Sequence, residues 1–205
     1  MNITATPAHE NAAVLLDRLS GRSIVFVGLM GAGKTAIGRK LSQMVHLPFV
    51  DSDHEIEAVS RMTIAELFQQ YGEVEFRALE ARVIERLLKG GPQIFSTGGG
   101  AFMNQQTRLG IAERGVSVWL KADLDLLMQR VAKKPSRPLL QNPDPRAVMA
   151  RLMEQRYPVY AAADITIQTR DERREIIASE VLDALMTKLA EPEFFPRITQ
   201  ERNPE

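Results

Sequence analysis

The stretch GLMGAGKT, from Gly28 to Thr35, has the spacing G-x-x-x-x-G-K-[ST]. An apolar run precedes it and an amphipathic segment follows, so the pattern predicts a strand, a glycine-rich loop and a helix. Glycines let the backbone N–H groups of such a loop turn inward, and the helix N-terminus behind them favours an anion. The lysine can reach the β- and γ-phosphates of a nucleotide, and the threonine offers a hydroxyl to Mg²⁺. We therefore predict a polyphosphate site at Gly31, Ala32, Gly33, Lys34, Thr35 and Ala36.

Two carboxylates, Asp51 and Asp53, stand at the end of the apolar run PFVD. Residues two apart on a strand project to one side, so we expect both to face the ligand crevice of a parallel sheet. Asp51 could hold Mg²⁺ through water, and Asp53 could orient an acceptor hydroxyl. The alternative is that these carboxylates cap the helix that follows.

A second glycine-rich segment, STGGGAF, comes directly after another apolar run. Gly98, Gly99 and Gly100 have no side chains that would exclude a ligand, and their N–H groups could line a substrate pocket. The alternative is a plain tight turn.

Three arginines form a fourth group of residues that could take part in chemistry. Arg77 falls early in a helical pattern, Arg137 in the proline-rich segment KKPSRPLLQNPDP, and Arg156 just before YPVYAAAD. A single arginine of this kind is more often a solvated surface residue. Their meaning therefore depends on the motifs around them.

Composition limits the class of protein. The 205 residues suit one domain, and equal numbers of acidic and basic residues give no bulk charge for binding nucleic acid. The absence of cysteine excludes disulfides and thiolate metal sites. No apolar run approaches the roughly 18 residues of a membrane span, and the N-terminus lacks the pattern of a secretory signal. We expect a cytoplasmic protein without a nucleic-acid or membrane partner.

Short apolar runs alternate with longer helical patterns along the chain. The runs read as strands because they are brief and rich in β-branched residues, and most lack a polar face, as expected for strands buried on both sides. They are Ser23–Gly28, Pro48–Asp51, Gln93–Gly98, Val116–Leu120 and Asp164–Gln168. Thr63 and Glu66 form a capping box at the start of one helix. This alternation predicts an α/β fold with a parallel sheet and helices on both faces.

Taken together and in order, the motifs closely resemble those of shikimate kinases. The resemblance runs from about Ser23 to Ala190 through GLMGAGKT, DSDHEIE, the pair FR at Phe76-Arg77, TGGG, RPLL and RYPVYAAAD. It implies a three-layer P-loop kinase fold with a five-stranded parallel sheet, inserted substrate-binding helices at about residues 52–90 and a mobile lid at about 133–145. Residues 1–22 and 191–205 fall outside it, as an N-terminal extension and a C-terminal tail.

The resemblance also implies an activity and a set of roles. Shikimate kinases transfer the γ-phosphoryl group of ATP to the 3-hydroxyl of shikimate, a step of chorismate and aromatic amino-acid biosynthesis, with Mg²⁺ as cofactor. By resemblance, Asp53 contacts the shikimate hydroxyls, Arg77 and Arg156 bind its carboxylate, and Gly99 gives a backbone contact. Arg137 then reaches the nucleotide phosphates from the lid. The expected catalytic residues are Lys34, Asp53 and Arg137, with Thr35 and Asp51 at the metal.

Some assignments stay open in the sequence. Many shikimate kinases have a further basic residue beside the adenine, for which Lys133 and Lys134 are the candidates here. Either Arg170 or Arg173, in QTRDERREI, could also lie near the adenine, and Arg173 is our choice. The alternative functions are another small-molecule kinase, such as a gluconate kinase, and a nucleotide-binding regulator without catalysis. The resemblance leads us to expect a monomer.

Overall fold

A computed structural model describes residues 7–133, 143–192 and 194 of the chain. Its strands form one parallel sheet of five strands in the order β2-β3-β1-β4-β5. The strands are β1 (Ser23–Val27), β2 (Phe49–Asp51), β3 (Ile94–Ser96), β4 (Gly115–Lys121) and β5 (Ile165–Gln168). Each corresponds to one of the apolar runs, so the predicted α/β class with a five-stranded parallel sheet is confirmed.

Helices connect the strands and cover both faces of the sheet. They are α1 (Pro7–Leu19), α2 (Lys34–Val45), α3 (Ser52–Ser60), α4 (Ile64–Lys89), α5 (Gln105–Arg114), α6 (Leu124–Ala132), α7 (Pro145–Tyr160) and α8 (Arg174–Lys188), with a short 3-10 helix at Ala101–Met103. Helix α2 packs against α1 and α8, while α4 packs against α3 and α5.

The burial of the strands explains their composition. Every residue of the central strand β1 is buried, so helices cover both of its faces and neither needs polar side chains. The edge strand β5 instead alternates buried and exposed residues. Polar residues are therefore tolerated at this edge. Because all five strands are parallel, the segments that follow them lie at the same end of the sheet.

Helix α4 begins at the predicted capping box and changes direction once. Thr63 accepts from the backbone N–H of Glu66, whose carboxylate accepts from the backbone N–H of Thr63. Gly72 then interrupts the helix with a φ of 76° and a ψ of 178°. Only glycine adopts this conformation readily, so the break is set by the sequence. Arg77 consequently lies early in the second part of α4.

The predicted extensions are only partly described. Helix α1, within the predicted N-terminal extension, buries Leu15 and Leu19 fully, and Arg18 donates to the Met186 carbonyl of α8 at 2.7 Å. The predicted lid at 133–145 and the tail from 191 lie largely outside the described residues, and these boundaries stay predictions. Among the helices in the described ranges, none is long and apolar enough to span a membrane.

Candidate active site

The predicted phosphate loop lies between β1 and α2 and is shaped by three glycines with positive φ. Gly28, Gly31 and Gly33 have φ values of 132°, 86° and 102°, a region that favours glycine. A Cβ at Gly28 would also lie 2.8 Å from the Leu120 carbonyl oxygen of β4, so this position has no room for a side chain. The loop therefore depends on glycine both for its backbone and for its contact with β4.

The ammonium of Lys34 folds back over the start of this loop. Its Nζ donates to the carbonyl oxygens of Gly28 at 2.7 Å and Leu29 at 3.0 Å. Thr35, one residue further along α2, points to the neighbouring strand: its hydroxyl donates to Asp51 Oδ2 at 2.8 Å. The structure thus brings the Lys34 ammonium against the predicted phosphate loop and brings together Thr35 and Asp51, the two residues predicted to hold the metal.

The two carboxylate oxygens of Asp51 have different partners. One carboxylate oxygen caps α3 by accepting from the backbone N–H of Asp53 at 3.1 Å, as the capping alternative expected. The other oxygen accepts from Thr35 and, at 3.0 Å, from the hydroxyl of Ser96 at the end of β3. Strand β2 ends at Asp51, so the prediction that both aspartates project from the strand is wrong: Asp53 lies in the first turn of α3.

The oxygen ligands around Asp51 suit Mg²⁺. The cation prefers oxygen donors and keeps several waters, so one carboxylate, one hydroxyl and substrate phosphates are sufficient partners. No group of three or more carboxylate, histidine or cysteine side chains forms a metal cage anywhere in the described parts of the chain. The residues present therefore fit a metal that is held mainly by nucleotide and water.

Asp53 is half-buried beside the second glycine segment. Burial and the adjacent Asp51 carboxylate raise the pKa of Asp53, against the opposing charge of Lys34. A Cβ at Gly98 would lie 2.9 Å from Asp53 Oδ1 and 2.7 Å from Glu80 Oε1. Because residue 98 is a glycine, the carboxyl groups of Asp53 and Glu80 can both approach this point of the loop.

Arg77 lies across Gly100 and is held by acidic partners on its own helix. Its Nη1 donates to Glu80 Oε2 at 2.7 Å, and its Nη2 lies 3.3 Å from the exposed Glu73. A Cβ at Gly100 would lie 2.5 Å from the Cζ of Arg77, so the guanidinium fills the space that a side chain would need. The pKa of Glu80 is raised by burial, although Arg77 opposes the shift.

Arg156 approaches the same segment from α7. Its Nη1 donates to the Gly99 carbonyl oxygen at 2.9 Å, and the hydroxyl of Tyr160 donates to the same oxygen. A Cβ at Gly99 would in turn lie 3.7 Å from both the Gly28 carbonyl oxygen and the Met30 nitrogen. The glycine segment that contacts both arginines thus adjoins the phosphate loop.

Arg130, in the last turn of α6, is a residue of this site that the sequence motifs did not single out. It donates to the Ala32 carbonyl oxygen at 3.2 Å and to the Arg170 carbonyl oxygen at 2.7 Å. Arg130 thus connects the backbone of Arg170 to the phosphate loop, while the side chain of Arg170 pairs with Glu180. Arg173 is the N-cap residue of α8. Of the remaining candidates, Arg137 and Lys134 lie outside the described residues, and Lys133 is the C-cap residue of α6.

Signals for the missed residues are weak in the sequence. Ser96 directly precedes the TGGG segment. Glu80 is three residues after Arg77, a spacing that places Arg77 and Glu80 on one face of a helix. Tyr160 is four residues after Arg156, a spacing that also places two residues on one face of a helix. Arg130 has no motif, and only the packing of α6 beside the phosphate loop reveals it.

Comparisons with known proteins agree with this geometry. The family model described as shikimate kinase matches residues 30–186. The shikimate kinase of Mesorhizobium japonicum is 69% identical over 181 residues, which cover 88% of this chain and 89% of that protein. The shikimate kinase of Brucella canis is 56% identical over 184 residues, covering 90% and 92%.

Solved structures give the same result. The structure of shikimate kinase from Acinetobacter baumannii in complex with shikimate superposes with a TM-score of 0.79 at 34% identity, covering 84% of this chain and 97% of that one. The residues matched by the family model include the phosphate loop from Met30 onward, Asp51, Asp53, the TGGG segment and both arginines that contact this segment. The chain therefore belongs to the shikimate kinase family.

Proposed function

We propose that this chain transfers the γ-phosphoryl group of ATP to the 3-hydroxyl of shikimate, giving ADP and shikimate 3-phosphate in the route to chorismate and the aromatic amino acids. One observation carries the proposal. The TGGG segment is in contact with two arginines from different helices and lies against the phosphate loop. An anionic acceptor bound there would be next to the γ-phosphate.

Arg77 and Arg156 are proposed to bind the shikimate carboxylate. A planar guanidinium donates two parallel hydrogen bonds to a carboxylate, a geometry that lysine cannot reproduce. The two arginines contact consecutive residues, Gly100 and Gly99, so both can approach one acceptor. The backbone of Gly98, Gly99 and Gly100 would form the wall of the acceptor pocket.

Asp53 is proposed to align the attacking hydroxyl and to accept its proton. The raised pKa makes its carboxylate a better proton acceptor than an ordinary aspartate. The neighbouring Glu80 Oε1 is buried without a hydrogen-bond partner among the described residues, which supports an acceptor that brings hydroxyl groups of its own. In the step itself, the 3-oxygen bonds to the γ-phosphorus, the bond from that phosphorus to the β–γ bridging oxygen breaks, and the proton goes to Asp53.

The phosphate loop positions the donor. Lys34 exchanges its loop carbonyl partners for the β- and γ-phosphates, and the N-terminus of α2 faces the same anion. Thr35 and Asp51 would hold Mg²⁺, and Ser96 keeps the Asp51 carboxylate oriented. When bound, the metal neutralises negative charge on the phosphates. Phosphoryl transfer needs positioning and charge neutralisation more than covalent help, which is what these residues provide.

Other roles rest on the resemblance to the family. Arg137 is proposed to close over the phosphates from the lid at 133–145, and Arg173 to lie near the adenine. Arg130 is a further candidate on structural grounds, because its hydrogen bonds link the phosphate loop to the backbone of Arg170. We also propose that the protein acts as a cytoplasmic monomer without nucleic-acid or membrane partners. Light scattering of the purified chain tests the monomer.

A phosphotransfer assay tests the function. ADP release should depend on shikimate and exceed that with gluconate or a nucleoside monophosphate by orders of magnitude. Shikimate methyl ester should be a poor acceptor because it has lost the negative charge that Arg77 and Arg156 bind. Equal rates with shikimate and gluconate, or with the ester, would contradict the proposal.

A further inference from the structure

The carbonyl oxygen of Gly99 accepts two hydrogen bonds from α7. One comes from Nη1 of Arg156 at 2.9 Å, and the other comes from the hydroxyl of Tyr160. Arg156 and Tyr160 are one helical turn apart, so both side chains leave the same face of α7. The arginine that would bind the substrate carboxylate and the buried tyrosine are therefore fixed to a single backbone atom.

The ring of Tyr160 is enclosed by other aromatic rings. It is fully buried, with ring centroids of Trp119 at 5.8 Å, Tyr157 at 6.2 Å and Phe102 at 6.3 Å. A side chain packed in this way has one position for its hydroxyl, because interiors are as dense as organic crystals. Tyr160 consequently presents a fixed donor to the Gly99 carbonyl, whereas Arg156 is long and needs to be oriented.

We propose that Tyr160 is a positioning residue of the acceptor site, which fixes the Gly99 carbonyl and through it the guanidinium of Arg156. The proposal rests on the proposed function, in which Arg156 binds the shikimate carboxylate. It assigns to a residue outside the pocket wall a specific effect on shikimate rather than on ATP.

The protonation of Tyr160 is suited to this task. Burial raises its pKa to about 12, although the positive charge of Arg156 opposes the shift. The hydroxyl therefore stays a donor throughout the neutral and moderately alkaline range. A peptide plane also fixes the Gly100 N–H relative to the Gly99 carbonyl, because the two groups belong to one rigid amide. Holding the carbonyl thus orients part of the pocket wall as well.

The test is Tyr160→Phe, which removes the hydroxyl and keeps the ring. Loss of one such hydrogen bond should raise the KM for shikimate roughly 3- to 10-fold, with the KM for ATP within twofold of wild type. Discrimination against shikimate methyl ester should fall in parallel, because Arg156 reads the carboxylate less well. A substitution that affected only folding would change neither the ratio of the KM for shikimate to the KM for ATP nor the preference for shikimate over its methyl ester.

Tyr157→Phe is the matched control. The Tyr157 hydroxyl donates to the Ala122 carbonyl, just beyond β4, whereas the side-chain donors to the Gly99 carbonyl in the described residues are Arg156 and Tyr160. This variant also loses one hydrogen-bonded hydroxyl in the same aromatic cluster, on a half-buried ring, so it should lose some thermal stability while keeping the wild-type KM for shikimate. Shikimate binding can be followed by the fluorescence of Trp119, the single tryptophan of the chain. The ring centroid of Trp119 lies 5.0 Å from that of Tyr157.

A double-mutant cycle completes the test. In an Arg156→Ala background, Tyr160→Phe should produce no further loss of shikimate affinity, because its effect passes through Arg156. If Tyr160→Phe is unfolded at the assay temperature, the same KM values are measured at a lower temperature at which circular dichroism shows a folded protein. Additive losses, equal changes in the KM for ATP and shikimate, or an equal effect of Tyr157→Phe would overturn the proposal. If wild type itself does not phosphorylate shikimate, the proposed function fails instead, and the two failures are distinct.

Discussion

Gly100→Ala should weaken shikimate binding by displacing Arg77. The backbone at Gly100 has a φ of −101° and a ψ of −14°, which alanine adopts without strain. The new Cβ, however, would lie 2.5 Å from Cζ and 2.6 Å from Nη1 of Arg77. The guanidinium is the far end of a flexible side chain, so we expect it to move away from its acidic partners while the backbone stays in place.

The size of the effect follows from the contacts that Arg77 loses. A hydrogen bond to a charged group contributes about 1.5–3 kcal/mol, which corresponds to a roughly 10- to 150-fold rise in the KM for shikimate. The buried Glu80 also loses its 2.7 Å partner. Because Arg77 is partly exposed and Glu80 can become protonated, we expect a modest loss of thermal stability and a folded protein.

Steady-state kinetics with each substrate varied in turn measure the prediction. The KM for ATP should stay within about twofold, since the side-chain hydrogen bonds of Arg77 in the described residues go to Glu73 and Glu80 and not to the phosphate loop. Gly110→Ala is the control, because its Cβ would meet only the Leu88 side chain at 3.5 Å and alanine favours the helix by about 0.5–1 kcal/mol. An unchanged KM for shikimate in Gly100→Ala, or an equal rise for ATP, would refute the reasoning.

Three further variants test other parts of the site. Lys34→Met should lower kcat roughly a hundredfold or more while circular dichroism stays native, because a contact to the transferring phosphoryl group is lost; near-normal turnover would exclude the phosphate-loop assignment. Asp53→Asn should abolish most turnover yet raise the melting temperature of the ligand-free protein at pH 7. The folded-state pKa of Asp53 is raised, so its contribution to stability is present below the ordinary pKa of 3.8 and is lost as pH rises through the folded value. A lower melting temperature than wild type at pH 7 would contradict this sign. Gly72→Ala should reduce the free energy of unfolding by about 1–3 kcal/mol in a urea titration, since nothing crowds the new Cβ and only the backbone is strained; an unchanged midpoint would argue that α4 straightens without penalty.

The amino-acid sequence by itself determined the local structure around the chemistry. The glycines of the phosphate loop, the β-branched runs and the Thr63 capping box each act within a few residues, so their patterns predict a loop, strands and a helix start without knowledge of neighbours. The order of the motifs along the chain was specific enough to indicate the family. Those motifs also singled out Asp51, Asp53, Arg77 and Arg156 as candidate site residues.

The tertiary structure decided which of these residues meet. Ser96 reaches Asp51 across 45 residues, Tyr160 reaches Gly99 across 61, and Arg130 reaches Ala32 across 98. Such pairs depend on the strand order β2-β3-β1-β4-β5, which places β3 between β1 and β2 and brings the loops after all three together. Periodicity reports which face of an element is buried and not which element covers it, so no pattern within the sequence could have identified these partners.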